Sequence, residues 1–372
     1  MPARRFRAFF GRRFRIGRPR RLPDGGGLVF AAVFLLAFLA WAFSLGVPGR
    51  SRRGARVPAP SAPGSASVAI PPGRDVTICA WNVENLFDDR DDPSNPDADE
   101  NWFGNSPSAV DEKVGLLAEA LLTQNAGRGP DVLVLLEVES RRALEFLRQS
   151  LNAALPAGSQ YGGLVFRPLS SGRRIAPGVL TRLAVDESLT RDDSPRRTLE
   201  AHLVGPAGAP LVVIATHWTS RLNAGSDVRR AAYADAIAAR VDAILAADPT
   251  ADVVIAGDFN DGPTDPSVRD HLCGPRRAGP PLVDLTTALN PATDGTYRYR
   301  GRWEVLDHIV VSPGLFDGAG WSVRADSLRV ENGPARRVGR DRRPWGFGGP
   351  KRSGPRGASD HFAVTARLTV AP

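Results

Sequence analysis

Six apolar runs in this chain each deliver a carboxylate, an amide or an imidazole at or near an end. Asn82 follows Val76 to Ala80, Glu137 closes Val-Leu-Val-Leu-Leu, and His217 closes Leu-Val-Val-Ile-Ala-Thr. Asp258, Asn260 and Asp261 follow Val-Val-Ile-Ala-Gly, Asp307 and His308 lie within Val-Leu-Asp-His-Ile-Val, and Asp360 and His361 immediately precede Phe362 to Val370. A single polar residue at a strand end is ordinarily a capped turn. Six together differ, because acids gathered at neighbouring strand ends are costly to bury without a cation or a shared proton. Asp, Glu and Asn oxygens suit a hard divalent ion, magnesium with manganese as the alternative; five scattered histidines without a thiolate cluster do not suit structural zinc. The chain has no Gly-x-Ser-x-Gly elbow, no Walker lysine loop and no Gly-x-Gly-x-x-Gly after a strand, which leaves metal-assisted hydrolysis.

Positioning such residues requires many strand ends. Short apolar runs predict strands over 76–80, 132–136, 163–166, 179–183, 199–204, 211–215, 253–256, 305–311 and 362–370. Helices are fewer: Ser108 and Ser140 each cap one, and Ser226 opens one running to Ala247. Many strands with few, separated helices favour an α+β two-sheet sandwich over a strictly alternating parallel fold. Two charged segments, the acidic 88–100 and the Arg-, Gly- and Pro-rich 332–357, are expected to be loops.

The ordered set Trp-Asn-Val-Glu-Asn (81–85), Leu-Glu-Val (136–138), Thr-His-Trp-Thr-Ser (216–220), Gly-Asp-Phe-Asn-Asp (257–261), Leu-Asp-His (306–308) and Ser-Asp-His (359–361) resembles the endonuclease/exonuclease/phosphatase superfamily over about residues 75–370. That resemblance implies a four-layer αββα sandwich and magnesium-dependent cleavage of a phosphate ester. It also implies that Glu137 is the main magnesium ligand, with Asn82 and Asp360 nearby. Asp258 would orient or deprotonate the attacking water, and Asn260 would hold the water or a phosphate oxygen. His361, paired with Asp307, would act as base or positive clamp, and His217 would donate to a phosphate oxygen or the leaving group.

Other polar residues receive plainer expectations. Glu84 and Glu139 fall on the opposite strand face or in a turn, and His202 and His271 are structural or solvated. In a regular strand Asp307 and His308 point to opposite faces, and Asp307 is the one expected in the site. Tyr297, Tyr299 and Trp303 border the cleft or fill the core. Cys79 and Cys273 are expected to stay unbridged.

The net charge of +8 on 372 residues suggests a polyanionic partner until its position is considered. Residues 1–72 hold thirteen Arg and one acid, a surplus of twelve positive charges, so the rest of the chain carries a net −4. Residues 28–47 are twenty uncharged positions flanked by Arg, which predicts a single transmembrane anchor after a basic cytoplasmic stretch, 1–27. A Pro-, Gly- and Ala-rich linker, 48–73, would then hold an extracytoplasmic catalytic domain, 74–372; a cleaved signal peptide is the alternative.

Three substrate readings differ at the rim. In a nuclease, Arg336, Arg337, Arg340, Arg342 and Arg343 would grip a nucleic-acid backbone while Trp345 and Phe347 stack on bases. In a phosphatase or a sphingomyelinase-like lipid phosphodiesterase, the same aromatics would dip into a membrane interface. A tethered, non-catalytic binding protein is the third reading, and it has no use for the whole motif set.

Overall fold

The computed structural model describes residues 73–371 except 96, 192–196, 334–335 and 341. The basic stretch 1–27, the membrane segment 28–47 and all but the last residue of the linker 48–73 lie outside the described residues. Among those described, no helix is long and apolar enough to cross a membrane.

Two six-stranded sheets pack face to face. The first contains β1 (Val76–Leu86), β2 (Val132–Val138), β3 (Gly163–Phe166) and β4 (Ala176–Thr181), completed by β13 (Trp321–Glu331) and β16 (Ala363–Val370) in the order β13-β16-β1-β2-β4-β3. The second runs β5 (Ala184–Val185), β6 (Thr198–Val204), β7 (Pro210–His217), β8 (Val253–Asp258), β12 (Asp307–Val311) and β9 (Val283–Asp284). Among the described residues only β1/β2 and β7/β8 pair in parallel, so within each pair the C-terminal ends emerge together. Hairpin β10 (Tyr297–Tyr299) and β11 (Arg302–Glu304) and the short pair β14 (Arg337–Val338) and β15 (Arg343–Pro344) lie outside the two sheets.

Alternation along the strands builds three apolar layers. Val76, Ile78, Ala80, Val132, Val134, Leu211, Val213, Val254, Ala256 and Ile309 fill the space between the sheets. Cys79, Trp81, Leu133 and Leu135 face α1 (Ala98–Gly104), α2 (Pro107–Leu122) and α3 (Arg141–Ala154), while Val212, Ile214 and Val253 face α4 (Ser226–Ala247). The result is the expected αββα sandwich. Ser140 Oγ accepts from Ala143 N and caps α3 as expected; α2 instead starts at Pro107, one residue before Ser108. The acidic stretch expected to be a loop turns helical at Ala98, where Asp97 caps α1 by accepting from Asp99 N.

The longest missed element is β13. Its inward residues shift from odd (Trp321, Val323) to even (Leu328) positions because the register with β16 slips between Arg324 and Arg329. A bulge of this kind destroys the two-residue period by which a strand is recognised.

Candidate active site

The polar ends noted in the sequence continue the inward series of their strands. Asn82 is the next inward position after Ile78 and Ala80, His217 after Val213 and Ala215, and Asp258 after Val254 and Ala256. Asp307 shares the face of Ile309 and Val311, so it too points between the sheets. The core therefore ends, on one edge of the sandwich, in a layer of polar groups. Gly257 permits this closeness: a Cβ there would sit 1.8 Å from Thr216 O, so β8 could not lie against β7 with any larger residue.

Strain supplies the remaining members. Glu137 falls on the helix-facing parity of β2, yet its positive φ of 66° and the register break after Leu135 turn its side chain into the site. Glu84, Asn85 and Asn260 also hold φ of 52°, 61° and 52°. Left-handed backbone at four non-glycine residues is unfavourable and persists only where surrounding bonds fix it. Here Asn85 N donates to Glu137 Oε2 at 3.1 Å, Glu84 N to Asn82 Oδ1 at 3.0 Å, and Asn260 N to Asp258 Oδ1 at 2.9 Å.

Asn82 Nδ2 bridges Glu137 Oε1 at 3.2 Å and Asp258 Oδ2 at 3.0 Å. His217 Nε2 stands 3.6 Å from that Asp258 oxygen and 3.8 Å from Glu137 Oε1. His361 Nδ1 donates to Asp307 Oδ2 at 2.8 Å, which leaves its Nε2 facing Asp258 Oδ2 at 3.9 Å. Asn260 Nδ2 donates to Trp218 O at 3.1 Å, and the Tyr297 ring stacks on His361 at 4.5 Å between centroids.

Electrostatics follow from burial. Burial, with Asp307 adding to it, raises Asp258 above the ordinary carboxylate range, and burial with Glu84 and Glu137 beside it pushes Asp360 up to about 7. Glu137 is held low: burial alone would raise it, and His217, Arg173 and Asn82 together outweigh burial. Burial lowers His217, whereas on His361 it is outweighed by Asp307, Asp258 and Asp360, which hold the imidazole well above its usual value. Buried carboxylates strained in this way are what a cation relieves, so the residues fit a metal ion. The amide nitrogen of Asn82, shared between Glu137 and Asp258, marks a spot on which two carboxylate oxygens already converge. Asp258, Asp307 and His361 also offer ligand atoms within 4.8 Å of one another, and one ion could bridge them.

The Endonuclease/Exonuclease/phosphatase family matches residues 77–369, spanning every group just described. The chain belongs to this family. Endonuclease/Exonuclease/phosphatase members are metal-dependent hydrolases of phosphoester bonds, and the chain is such a hydrolase. Its fold is similar to that of TDP2 from Caenorhabditis elegans, at 16% identity and a TM-score of 0.50 over 80% of this chain and 75% of that one. It is also similar to an endonuclease/exonuclease/phosphatase family protein from Bacteroides thetaiotaomicron (16% identity, TM-score 0.49, 79% and 95% covered). The human nocturnin catalytic domain gives 15% identity and a TM-score of 0.48, with 80% and 94% covered. No curated protein sequence matches the chain.

This polar cluster opens into a cleft of about 990 Å³ that Asn82, Glu137, His217, Asp258, Asn260, Asp360 and His361 all line. Its walls carry Arg173, Arg221, Arg229, Tyr233, Tyr297 and Tyr299, and the arginines among these were not anticipated. Arg221 directly follows Thr-His-Trp-Thr-Ser, the one sequence signal that could have found it. The five arginines expected at the rim line no part of this cleft. Arg336 turns inward to the carbonyls of Glu331 and Ala120, and Arg337 donates to Asn332 Oδ1, while Arg340, Arg342 and Arg343 are exposed. Phe347 cannot stack on a base or enter a membrane, because it is 1% exposed and packs on Phe103 at 5.7 Å.

Glu84 sits in a kink, as allowed, but it lines the cleft and accepts from Phe347 N at 2.6 Å and Gly348 N at 2.9 Å. Glu139 accepts from Asp88 N at 3.0 Å, His202 pairs with Glu200 at 2.7 Å and His271 with Asp235 at 2.7 Å, all away from the cleft. His308 is buried on the far face of β12, between Asp284 at 2.9 Å and the carbonyl of Asp261 at 2.8 Å. Both cysteines are free.

Proposed function

We propose that this protein is a magnesium-dependent nuclease that hydrolyses phosphodiester bonds by attack of a water molecule. The observation that carries the reading is the meeting of Asn82, Glu137, His217, Asp258 and the Asp307–His361 pair on the floor of one open cleft walled by arginine and tyrosine. Glu137, Asn82 and Asp360 would hold the ion, which supplies charge neutralisation on the phosphate and a template for the substrate. Assigning the ion there leaves Asp258, Asp307 and His361 for proton chemistry, and the Asp307–His361 hydrogen bond supports that division.

Asp258 orients the water and takes its proton, since it alone is approached by Asn82, His217 and His361. Asp307 fixes the His361 ring and sustains its positive charge, so that Nε2–H meets a phosphate oxygen. His217 offers Nε2–H to a second oxygen or the leaving group. The Arg and Tyr walls suit a chain of phosphates with ring faces between them, a polynucleotide better than a small ester.

A lipid phosphodiester is the second reading, favoured by Leu222 and Val228, which stand 75% and 70% exposed in the segment around Arg221 and Arg229. The test offers the full-length chain and magnesium to plasmid, single-stranded DNA, RNA, sphingomyelin vesicles and bis(p-nitrophenyl) phosphate, beside His361→Ala and Asp258→Asn. Polynucleotide cleavage lost on chelation and reduced by about 10³-fold in either variant is expected. Turnover confined to vesicles would transfer the reading to lipid, and no turnover of any substrate would end it.

A further inference from the structure

The chain uses arginine for 46 of its 48 basic residues, and one of the two lysines, Lys113, is 0% exposed. It lies on α2 among Val110, Val114 and Leu117, on the face packed against the first sheet, where a charged residue is out of place. Among the described residues no carboxylate lies within ion-pairing distance of it. Instead its Nζ donates to Ala358 O at 2.8 Å and sits 4.9 Å from the centroid of the Phe347 ring. The acids that favour its charge are those of the site: Glu84, Asp360 and Glu137.

Ala358 begins the four-residue corner that ends at His361. Ser359 Oγ donates to Asn82 O at 2.6 Å and accepts from His361 N at 3.1 Å, and Trp81 Nε1 donates to His361 O at 2.9 Å. Lys113 holds the corner's first carbonyl, and Glu84 holds the Phe347 and Gly348 amides beside it. Removing Lys113 would leave the half-buried Ala358 carbonyl without this donor and free the entry to Asp360 and His361. An arginine would bring five donors and a planar fork to a slot that offers one carbonyl and one ring face, which accounts for the lysine here in an arginine-biased chain.

Resting on the catalytic reading above, we infer that Lys113 is a positioning residue: from behind the site its ammonium fixes the Ala358–His361 corner and so aims Asp360 and His361. With only two lysines, the full-length chain labelled with [ε-13C]lysine gives two side-chain signals, and exposed Lys351 serves as internal control. Titration with magnesium, followed in parallel by calorimetry, is expected to move the Lys113 signal to saturation with the binding heat and leave Lys351 in place. Lys113→Met is expected to lower kcat on the substrate that the wild type turns over by about 10- to 100-fold, with KM within about 2-fold. Lys113→Gln, which retains a donor to the Ala358 carbonyl, should recover most of that loss.

Binding heat with an unmoved Lys113 signal overturns the positioning role, as does a folded Lys113→Met with kcat within about 2-fold of wild type. Should that variant not fold, the wild-type titration decides alone. Absence of both heat and turnover overturns the catalytic reading, and the inference with it.

Discussion

In the proposed mechanism the proton chemistry turns on Asp307, one of whose oxygens holds His361 Nδ1 while the other is buried with no partner among the described residues. An unpaired buried carboxylate oxygen costs stability and is kept here beside a histidine whose charge it sustains. Asp307→Asn keeps the shape but removes the charge, and it can present an N–H where the ring nitrogen needs an acceptor. Its kcat should fall by at least about 100-fold with little change in metal affinity, read by steady-state hydrolysis and calorimetry. A loss of metal affinity matching the loss of kcat would instead make Asp307 a ligand within the Asp258, Asp307 and His361 group. Choosing Asp307 over His308 required only the two-residue alternation of a strand, and β12 places His308 on the far face as that alternation demands. Glu137 was legible for a different reason. Its position at the end of an apolar run marked it, although the strand period alone would have pointed it away from the site, and the positive φ that turns it inward leaves no trace in residue type.

At the scale of elements, regular alternation was legible and departures from it were not. The strands β2 to β4, β6 to β8, β12 and β16 were found to within three residues, because their inward faces repeat every second position, whereas β1 was read six residues short of Leu86. β13 was missed because its bulge switches faces, and the two-residue strands because two residues show no period. The segment 332–357 was rightly expected to lack long elements, but its inward packing through Arg336, Phe347 and Arg356 could not be read from composition. Asp252, just before β8, shows how one carboxylate ties an element in place, accepting from Trp321 N at 2.9 Å at the start of β13. Burial, with Asp317 and Asp248 nearby, pushes its pKa up to about 6. The folded protein therefore keeps a proton that the unfolded chain releases from about pH 4 upward. The stability this proton confers is present below about pH 4 and is lost as pH rises to about 6. Asp252→Asn keeps an oxygen for Trp321 N and does not ionise. Its melting temperature relative to wild type should rise between pH 4 and 7, and a difference independent of pH would show that Asp252 ionises as freely folded as unfolded.

Over the whole molecule, charge is arranged against its total. Residues 1–72 carry +12, more than the +8 of the whole chain, and a catalytic domain of net −4 repels a polyanion at long range. Its cleft does little to reverse this, because two of its arginines are already engaged: Arg173 with Asp97 and Asn85, and Arg221 with Asp261, Asp265 and Glu304. Such paired guanidiniums shape the walls and spend part of their field on neighbouring acids. Arg340, Arg342 and Arg343 differ, being exposed and without an ion pair among the described residues, on a hairpin whose strand β15 packs beside β10 at the cleft border. They line no part of the cleft but belong to the hairpin that flanks its β10 border. If the substrate is a polynucleotide, replacing all three with Ala should leave kcat/KM on bis(p-nitrophenyl) phosphate unchanged. It should also flatten the dependence of log Kd on log salt for duplex DNA by about 0.9 for each phosphate that is no longer neutralised. An unchanged slope would assign the hairpin to solubility and leave the cleft arginines, partnered as they are, as the whole of the backbone grip.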